Sequence, residues 1–451
     1  MDWGGRLAEL AAAHGVPGAS LALRHRGVTA EHATGVLSTA TNVPVTPGAV
    51  FQIGSVTKVW TATQVMLLAE RGDLDLDAPV RDALPEFAVA DPVVSVEATI
   101  RQLLSHTSGI DGDLFLDTGR GDDCLEKYVA ACAELTQLHP PGATQSYVNA
   151  AYSVLGRIIE KATGGVWDRA LREMVLDPLG LDGVCTLPEE ALLRRAAVGH
   201  LGKGEKLRPT PVWGLMRSIG PAGLICATAA DTVAFGAAHL APGLLTEASL
   251  TAMRAPQIEV PNPHGLGTHW GLGWILDTWD GHPVLWHSGS TIGQNASLWV
   301  VPDADLVVAL LSNGGNDGAL AADLAREIFA EVAGIAVRET PEPSAGPVAF
   351  DPADYTGLYE RRHVITTITE GPRGLHARIE VTTPALADLA EPLELALSPV
   401  DEVTFVGTAE GNPAKVPFVF HRLPDGSPHV HYSARTNPRT KPADGTGRSA
   451  G

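Results

Sequence analysis

Residues 51–72, FQIGSVTKVWTATQVMLLAERG, decide how the rest of the chain is read. They spell one long helix, with Gly72 just past its end, the usual place for a C-terminal glycine. Val56, Val59, Trp60, Val65, Met66, Leu67 and Leu68 cover most of its girth, so the helix belongs inside the molecule. Yet its first turn carries a hydroxyl and an ammonium three residues apart, Ser55 and Lys58. Residues i and i+3 lie on one side of a helix, so Ser55 Oγ and Lys58 Nζ can meet. The N–H groups at a helix start are unpaired and carry roughly half a positive charge, which suits an oxyanion. A neutral Lys58 can take the serine proton. With a reference pKa near 10.4, only about 1 lysine in 2500 is neutral at pH 7. The site therefore has to lower that pKa or share the proton with a phenol. A lone S-x-x-K is a weak pattern, and its weight here comes from setting. The chain has only seven lysines, and this one lies in an apolar helix where a charge needs partners.

A phenol is offered by GATQSYVNAAYSVLGRIIEKATG, where Tyr147 and Asn149 stand two apart before an amphipathic helix beginning near Ala150. An extended Y-x-N points both side chains one way. Tyr147 suits a base or proton relay beside Lys58, and Asn149 suits a contact to a substrate carbonyl or to Lys58. The plainer reading is a buried tyrosine and an asparagine helix cap. The third element is LWHSGSTIG, with His287, Ser288, Gly289 and Ser290 ending an apolar, strand-like run. Gly289 lets a substrate backbone lie close to the strand edge. The Ser290 N–H is placed to be a second oxyanion donor. His287 is a candidate to orient the Tyr147 phenol or meet a polar end of the substrate, although a single histidine at a strand end is more often structural.

Taken together and in this order, FQIGSVTK, LLSHTSGI, YVNAAYSVLG and HSG resemble the serine β-lactamase-like superfamily. The likeness covers residues 5 to 335 and points in particular to the class C branch, which also holds D-stereospecific peptidases, carboxylesterases and acyl-transferring enzymes. The resemblance implies an α/β fold, an antiparallel sheet flanked by helices with a large helical insertion. It also implies an acyl-serine mechanism. Ser55 is then the nucleophile, and Lys58 with Tyr147 the base system. Asn149 contacts the acyl side chain, and the His287-Ser288-Gly289 strand lines the pocket. LLSHTSGI, Leu103 to Ile110, is a hallmark with a structural role, and His106 is not assigned to catalysis. One departure matters: β-lactamases and penicillin-binding enzymes usually carry Lys-Thr-Gly where this chain has His-Ser-Gly. A histidine is mostly neutral at pH 7, which removes a fixed cation for a substrate carboxylate and favours the esterase and peptidase members.

The pattern along the chain fits. Strand-like runs at Ala19–Arg24 and Val28–Gly35 lie far from others at GLGWIL, VLWHSGS, ASLWVV and LVVALLSNG. One sheet assembled from both ends, with a helical block of about residues 79–263 inserted, accounts for this. The first domain is placed at 1–337 and closed by a helix over Asp317–Val332. A proline-rich linker follows at 338–354. Short alternating segments over 355–433 read as a small antiparallel barrel or sandwich, similar to the lipocalin-like domains appended to some relatives. Residues 434–451 read as a polar, flexible tail.

The 451 residues carry a formal net charge of -20, which argues against nucleic acid or an anionic membrane as partner. The four cysteines show no C-x-x-C or zinc spacing, and no phosphate-cradling glycine loop is present, so no metal, nucleotide or other cofactor is expected. No basic-then-apolar leader opens the sequence, and a cytoplasmic location is expected. GRSAG at 447–451 matches the nucleophile-elbow pattern without a strand before it or a helix after it. The expected function is a serine hydrolase acting on a small ester or amide through acyl-Ser55, carboxylesterase- or D-aminopeptidase-like. The alternatives are an acyltransferase of a natural-product pathway using the same intermediate, a β-lactamase or penicillin-binding protein, and a non-catalytic ligand-binding protein.

Overall fold

The computed structural model describes residues 1–372, 374–382, 392–409 and 412–442. Two strands near the start, β1 (Gly18–His25) and β2 (Val28–Gly35), join six from residue 258 onward. These are β3 (Ile258–Glu259), β4 (His269–Trp270), β5 (Ile275–Trp279), β6 (His282–Ser290), β7 (Asn295–Val301) and β8 (Leu306–Ser312). They form one antiparallel sheet in the order β2-β1-β8-β7-β6-β5-β4-β3. β1 pairs directly with β8, Ala22 opposite Ala309, which ties the two distant halves together. Every residue of β8 is buried, as expected of a strand covered on both faces.

One face is covered by α1 (Trp3–Ala13), and the other by α4 (Ala229–Ala237), against which α2 (Thr57–Glu70) packs, with α3 (Asn149–Thr163) packed in turn on α2. α5 (Asp317–Ile328) lies on the α1 side, where Arg6 forks onto Glu327 at 2.6 and 2.7 Å. Asp2 caps α1 by accepting from the Gly4 and Gly5 N–H groups. α2 is buried from Thr57 through Leu68, and Trp60 stacks on Phe235 of α4 at 3.7 Å. Between residues 79 and 257 the chain is helices and loops, with only two-residue strands, such as Cys226–Ala227 pairing with Phe51–Gln52. This is the mixed fold expected from the sequence.

The C-terminal part is a closed, eight-stranded antiparallel barrel. Its strands are β9 (Gly357–Arg361), β10 (Val364–Gly371), β11 (Gly374–Val381), β12 (Leu393–Pro399), β13 (Thr404–Ala409), β14 (Asn412–Arg422), β15 (Pro428–Tyr432) and β16 (Arg435–Pro442). Tyr359, Ile368, Leu375, Phe405, Phe418 and Val430 fill it. Here the sequence reading needs correction. Residues 435–442, read as flexible tail, are the strand that closes the barrel by pairing with both β9 and β15. The strand escaped notice because the side chains it buries are polar. Thr436 Oγ1 donates to the Gln145 carbonyl at 2.9 Å, and Asn437 Nδ2 donates to the Val430 carbonyl at 3.2 Å. Apolar alternation, the usual strand signal, is therefore missing. The rest of that tail, 443–451, with the GRSAG pattern, lies outside the described residues.

Contacts from the turn before that strand and from β14 and β15 dock the barrel on the first domain. The Tyr147 N–H donates to the Ala434 carbonyl at 2.9 Å, and His431 Nε2 meets Gln145 Oε1 at 2.9 Å. Asn262 Nδ2 donates to the Pro417 carbonyl at 2.8 Å. Among the described residues no helix is long and apolar enough to cross a membrane, and no cluster of His, Cys, Asp and Glu is arranged to hold a metal ion.

Candidate active site

Ser55 sits on a short 3-10 turn, Gly54–Val56, that leads directly into α2. The turn is held by the Ile53 N–H, which donates to the Ile225 carbonyl at 2.9 Å. Lys58 follows in the first turn of α2 with no exposed surface. Its Nζ lies 3.1 Å from Ser55 Oγ and donates to the Ala222 carbonyl at 2.7 Å. Burial pushes the Lys58 pKa well below the usual lysine value, and the nearby Arg435 cation pushes it further; Asp113 offsets part of this. The amine is thus biased toward the neutral form that a base requires.

Tyr147 lies across from this pair, with its ring centre 4.9 Å from Lys58 Nζ. The phenol oxygen is buried and makes no full hydrogen bond. Desolvation raises its pKa, and Ser55 and Arg435 offset this only in part. The ring is held in place by the LLSHTSGI segment. His106 packs on it at 4.3 Å, takes the Val148 N–H on Nδ1 at 3.0 Å, and accepts the Ser146 N–H on its carbonyl at 3.0 Å. The positive φ of His106, 56°, marks the tight turn that permits both bonds.

Asn149 opens α3, with Val148 as the cap residue, so it is neither the cap nor bonded to Lys58. Its amide donates to Asp113 Oδ1 at 2.8 Å. His287 is buried, and its Nδ1 donates to the Ser288 carbonyl at 2.6 Å. Burial and the neighbouring Lys58 hold its pKa down to about 3, so the ring is neutral. It does not hydrogen-bond the phenol; the two ring centres are 6.3 Å apart. Gly289 has a different reason from the expected one. A side-chain carbon there would stand 1.9 Å from the Ile53 carbonyl oxygen and 2.6 Å from the Ser55 nitrogen. The backbone that needs the space is the chain's own nucleophile turn. Ser290 N is beside Gly54 in the same contact.

Ser55, Tyr147, Asn149, His287, Ser288, Gly289 and Ser290 all line one cavity of about 600 Å³, with Lys58 directly beneath Ser55. Two residues that sequence reasoning passed over complete the site. Arg435, the first residue of β16, lies with its guanidinium carbon 5.0 Å from the Tyr147 ring centre. Asp113 grips it with two bonds of 2.6 and 2.9 Å and also pairs with Arg361 at 3.0 Å. Burial favours the protonated Asp113, but Arg435, Arg361 and the Asn149 amide outweigh it and hold its pKa below the usual carboxylate value. Of these charged groups Arg435 is the one that reaches the cavity wall, and Asp111, which accepts the Arg362 N–H, adds a second carboxyl group near Arg361. Nothing local in the sequence announces Arg435 or Asp113; the two are 322 positions apart.

Comparison with known proteins shows the family of the chain. The family model "Beta-lactamase" matches residues 5–333. Penicillin-binding protein 4 of Amycolatopsis lactamdurans is 47% identical over 369 residues, covering 80% of this chain and 97% of that protein. Esterase EstB of Burkholderia gladioli is 29% identical over 347 residues, 66% of this chain and 86% of its own. The crystal structure of SurE superposes with a TM-score of 0.77 at 31% identity, over 97% of this chain and 98% of that one. The same protein with D-Leu gives 0.73 at 30% identity over the same shares.

Proposed function

The chain belongs to the β-lactamase family, and on that footing we propose that it is an acyl-serine enzyme that cleaves an ester or amide bond, with a D-amino acyl group as the acyl part. The observation that carries the reading is the 3.1 Å approach of Ser55 Oγ to a fully buried Lys58 whose pKa is driven down. The Ser55 oxygen attacks the carbonyl while its proton passes to Lys58, with the Tyr147 phenol as relay. The Ser55 and Ser290 N–H groups receive the developing oxyanion. Collapse breaks the bond to the leaving group, which takes the proton back and departs. Water, or an amine or alcohol acceptor, then attacks acyl-Ser55 by the reverse path. Asn149 and Arg435 face the acyl part, where their N–H groups suit a carbonyl oxygen. The preference for a D-residue rests on the likeness to SurE, whose structure was solved with D-Leu. The wall cation that His-Ser-Gly lacks is present as Arg435, but it is already committed to Asp113, which disfavours a free β-lactam carboxylate as the main ligand.

The test uses p-nitrophenyl butyrate and the D- and L-leucine p-nitroanilides with wild type and Ser55→Ala. Loss of roughly 10³-fold or more in kcat/KM is expected in the variant. Intact-mass analysis after a fluorophosphonate should show one adduct on wild type and none on Ser55→Ala. Equal rates in the two proteins sink the enzyme reading. Added amine acceptors that change the product identify a transferase.

A further inference from the structure

The cavity at Ser55 does not stop at the reacting groups. Leu266, Ser297, Gly318 and Ala321 line both it and a second hollow of about 720 Å³, so the two adjoin. Alternation along β6 turns His287 and Gly289 toward the nucleophile and Trp286 toward α5, while Ser288 lines the Ser55 cavity. Ser297 and Trp299 of β7 are opposite Ser288 and Trp286 and share that second face. The second hollow therefore starts beside the reacting strand, passes around its edge, and runs along the other side of the sheet.

Its walls are aromatic on one side and small on the other. Trp279, Trp286 and Trp299 come from the sheet, while Ala321, Ala322 and Ala325 come from α5. Larger residues on α5 would fill the space. The charged rim is closed on itself. Arg338 pairs with Asp277 at 3.0 Å, Arg326 with Asp323 at 2.8 Å, and Lys415 with Glu342. Each of these three cations thus has a carboxylate beside it, and Glu339 stands 3.8 Å from Arg326 as well.

We propose that this hollow is a distal subsite for an uncharged, apolar extension of the substrate, an aliphatic or aromatic chain carried on the acyl or the leaving group. The inference rests on the reading that Ser55 is acylated, and extends it to what lies several bonds from the scissile one. Each methylene that enters should gain about two- to fourfold in binding, from the apolar area withdrawn from water.

The experiment has two arms. In the first, kcat/KM is measured for p-nitrophenyl esters from acetyl to decanoyl, and for N-acetyl-D-leucine esters of alcohols from methyl to octyl. Wild type is compared with Ala322→Trp, whose indole would plug the hollow. The quantity read is the ratio of long to short substrate within each protein, so a general change in activity cancels. In the second arm, Ser55→Ala is titrated with 10-bromodecanamide, whose bromine quenches nearby indoles, with acetamide as control. This arm needs no chemistry at Ser55, so it stands whether or not the serine is acylated. A ratio that climbs with length in one of the two series and is flattened by Ala322→Trp, together with saturable quenching, supports the subsite. A flat ratio in both series, an equal climb in the variant, or no saturable quenching overturns it.

Discussion

Lys58 gathers the competing forces of the site in one residue. An ammonium buried this deeply without a carboxylate partner is costly, so the folded chain favours the amine. Arg435 adds to that pressure from the barrel side, and its removal has a defined sign. In Arg435→Gln, one cause lowering the Lys58 pKa is lost, while Asp113, which raises it, remains. The Lys58 pKa therefore rises, and the acidic limb of the kcat/KM profile should move to higher pH. His287, neutral above about 3, contributes no limb near neutrality. A pH profile with p-nitrophenyl butyrate checks this; an unmoved or acid-shifted limb would show that Arg435 does not act on Lys58. Arg435→Lys keeps the charge and should restore most of the profile. Gly289 is decided at the same scale, since no other residue leaves room for the Ile53–Ser55 turn against β6.

At the scale of elements, the turn between β15 and β16 is the piece that joins the two domains chemically. Ser433 and Ala434 both take positive φ, 48° and 68°, which reverses the chain tightly enough to bring Arg435 over Tyr147. Asp113, from the loop between the Ile100–Leu104 and Cys124–Ala131 helices, meets it there and binds Arg361 of β9 and Asn149 of α3 as well. Three elements thus share one carboxylate. Asp113→Ala leaves two guanidiniums facing each other in a largely buried place, at a cost of about 3–5 kcal/mol. Urea unfolding should report a fall of that order in stability. A change below about 1 kcal/mol would mean that the ion cluster is solvated and holds the barrel only weakly.

Over the whole molecule, buried histidines set the response to acid. His139, His239 and His421 are held down to about 4 and His287 to about 3, in each case first by burial. Their folded pKa values lie below the unfolded value near 6.5. The unfolded chain therefore binds more protons in between, and stability is lost as pH falls from about 6.5 toward 4. Asp111 runs the other way: burial lifts it to about 6, so the folded state gains a proton there as pH falls. His106 and His431 are lowered in the same way and Glu160 and Asp317 are raised like Asp111; the lowered histidines outnumber the raised carboxyls, leaving a net loss of about 1.4 kcal/mol per net proton for each pH unit crossed. Urea midpoints at pH 7.5, 6 and 5 should fall in that order, and a midpoint flat across this range would contradict the burial of these rings.

The parts of this protein that its sequence determined are those carried by short-range pattern. Ser55 and Lys58 meet because a helix brings i and i+3 together whatever surrounds it. Tyr147 and Asn149 stand two apart on one stretch, and β1, β2, β7 and β8 announce themselves by apolar runs and turns. The barrel was visible in its alternating segments up to Tyr432. Tertiary structure alone decided the rest, because the reasons lie between residues far apart in the chain. β16 buries threonine and asparagine whose partners, Gln145 and Val430, exist only once the barrel has closed on the first domain. Gly289 is glycine for the sake of Ile53 and Ser55, more than 230 positions earlier by the numbering. The cation at the cavity wall comes from Arg435 because a turn in one domain is inserted into the other. Local pattern records which conformations a segment prefers; it carries no record of which distant charge or carbonyl will be waiting when the segment arrives.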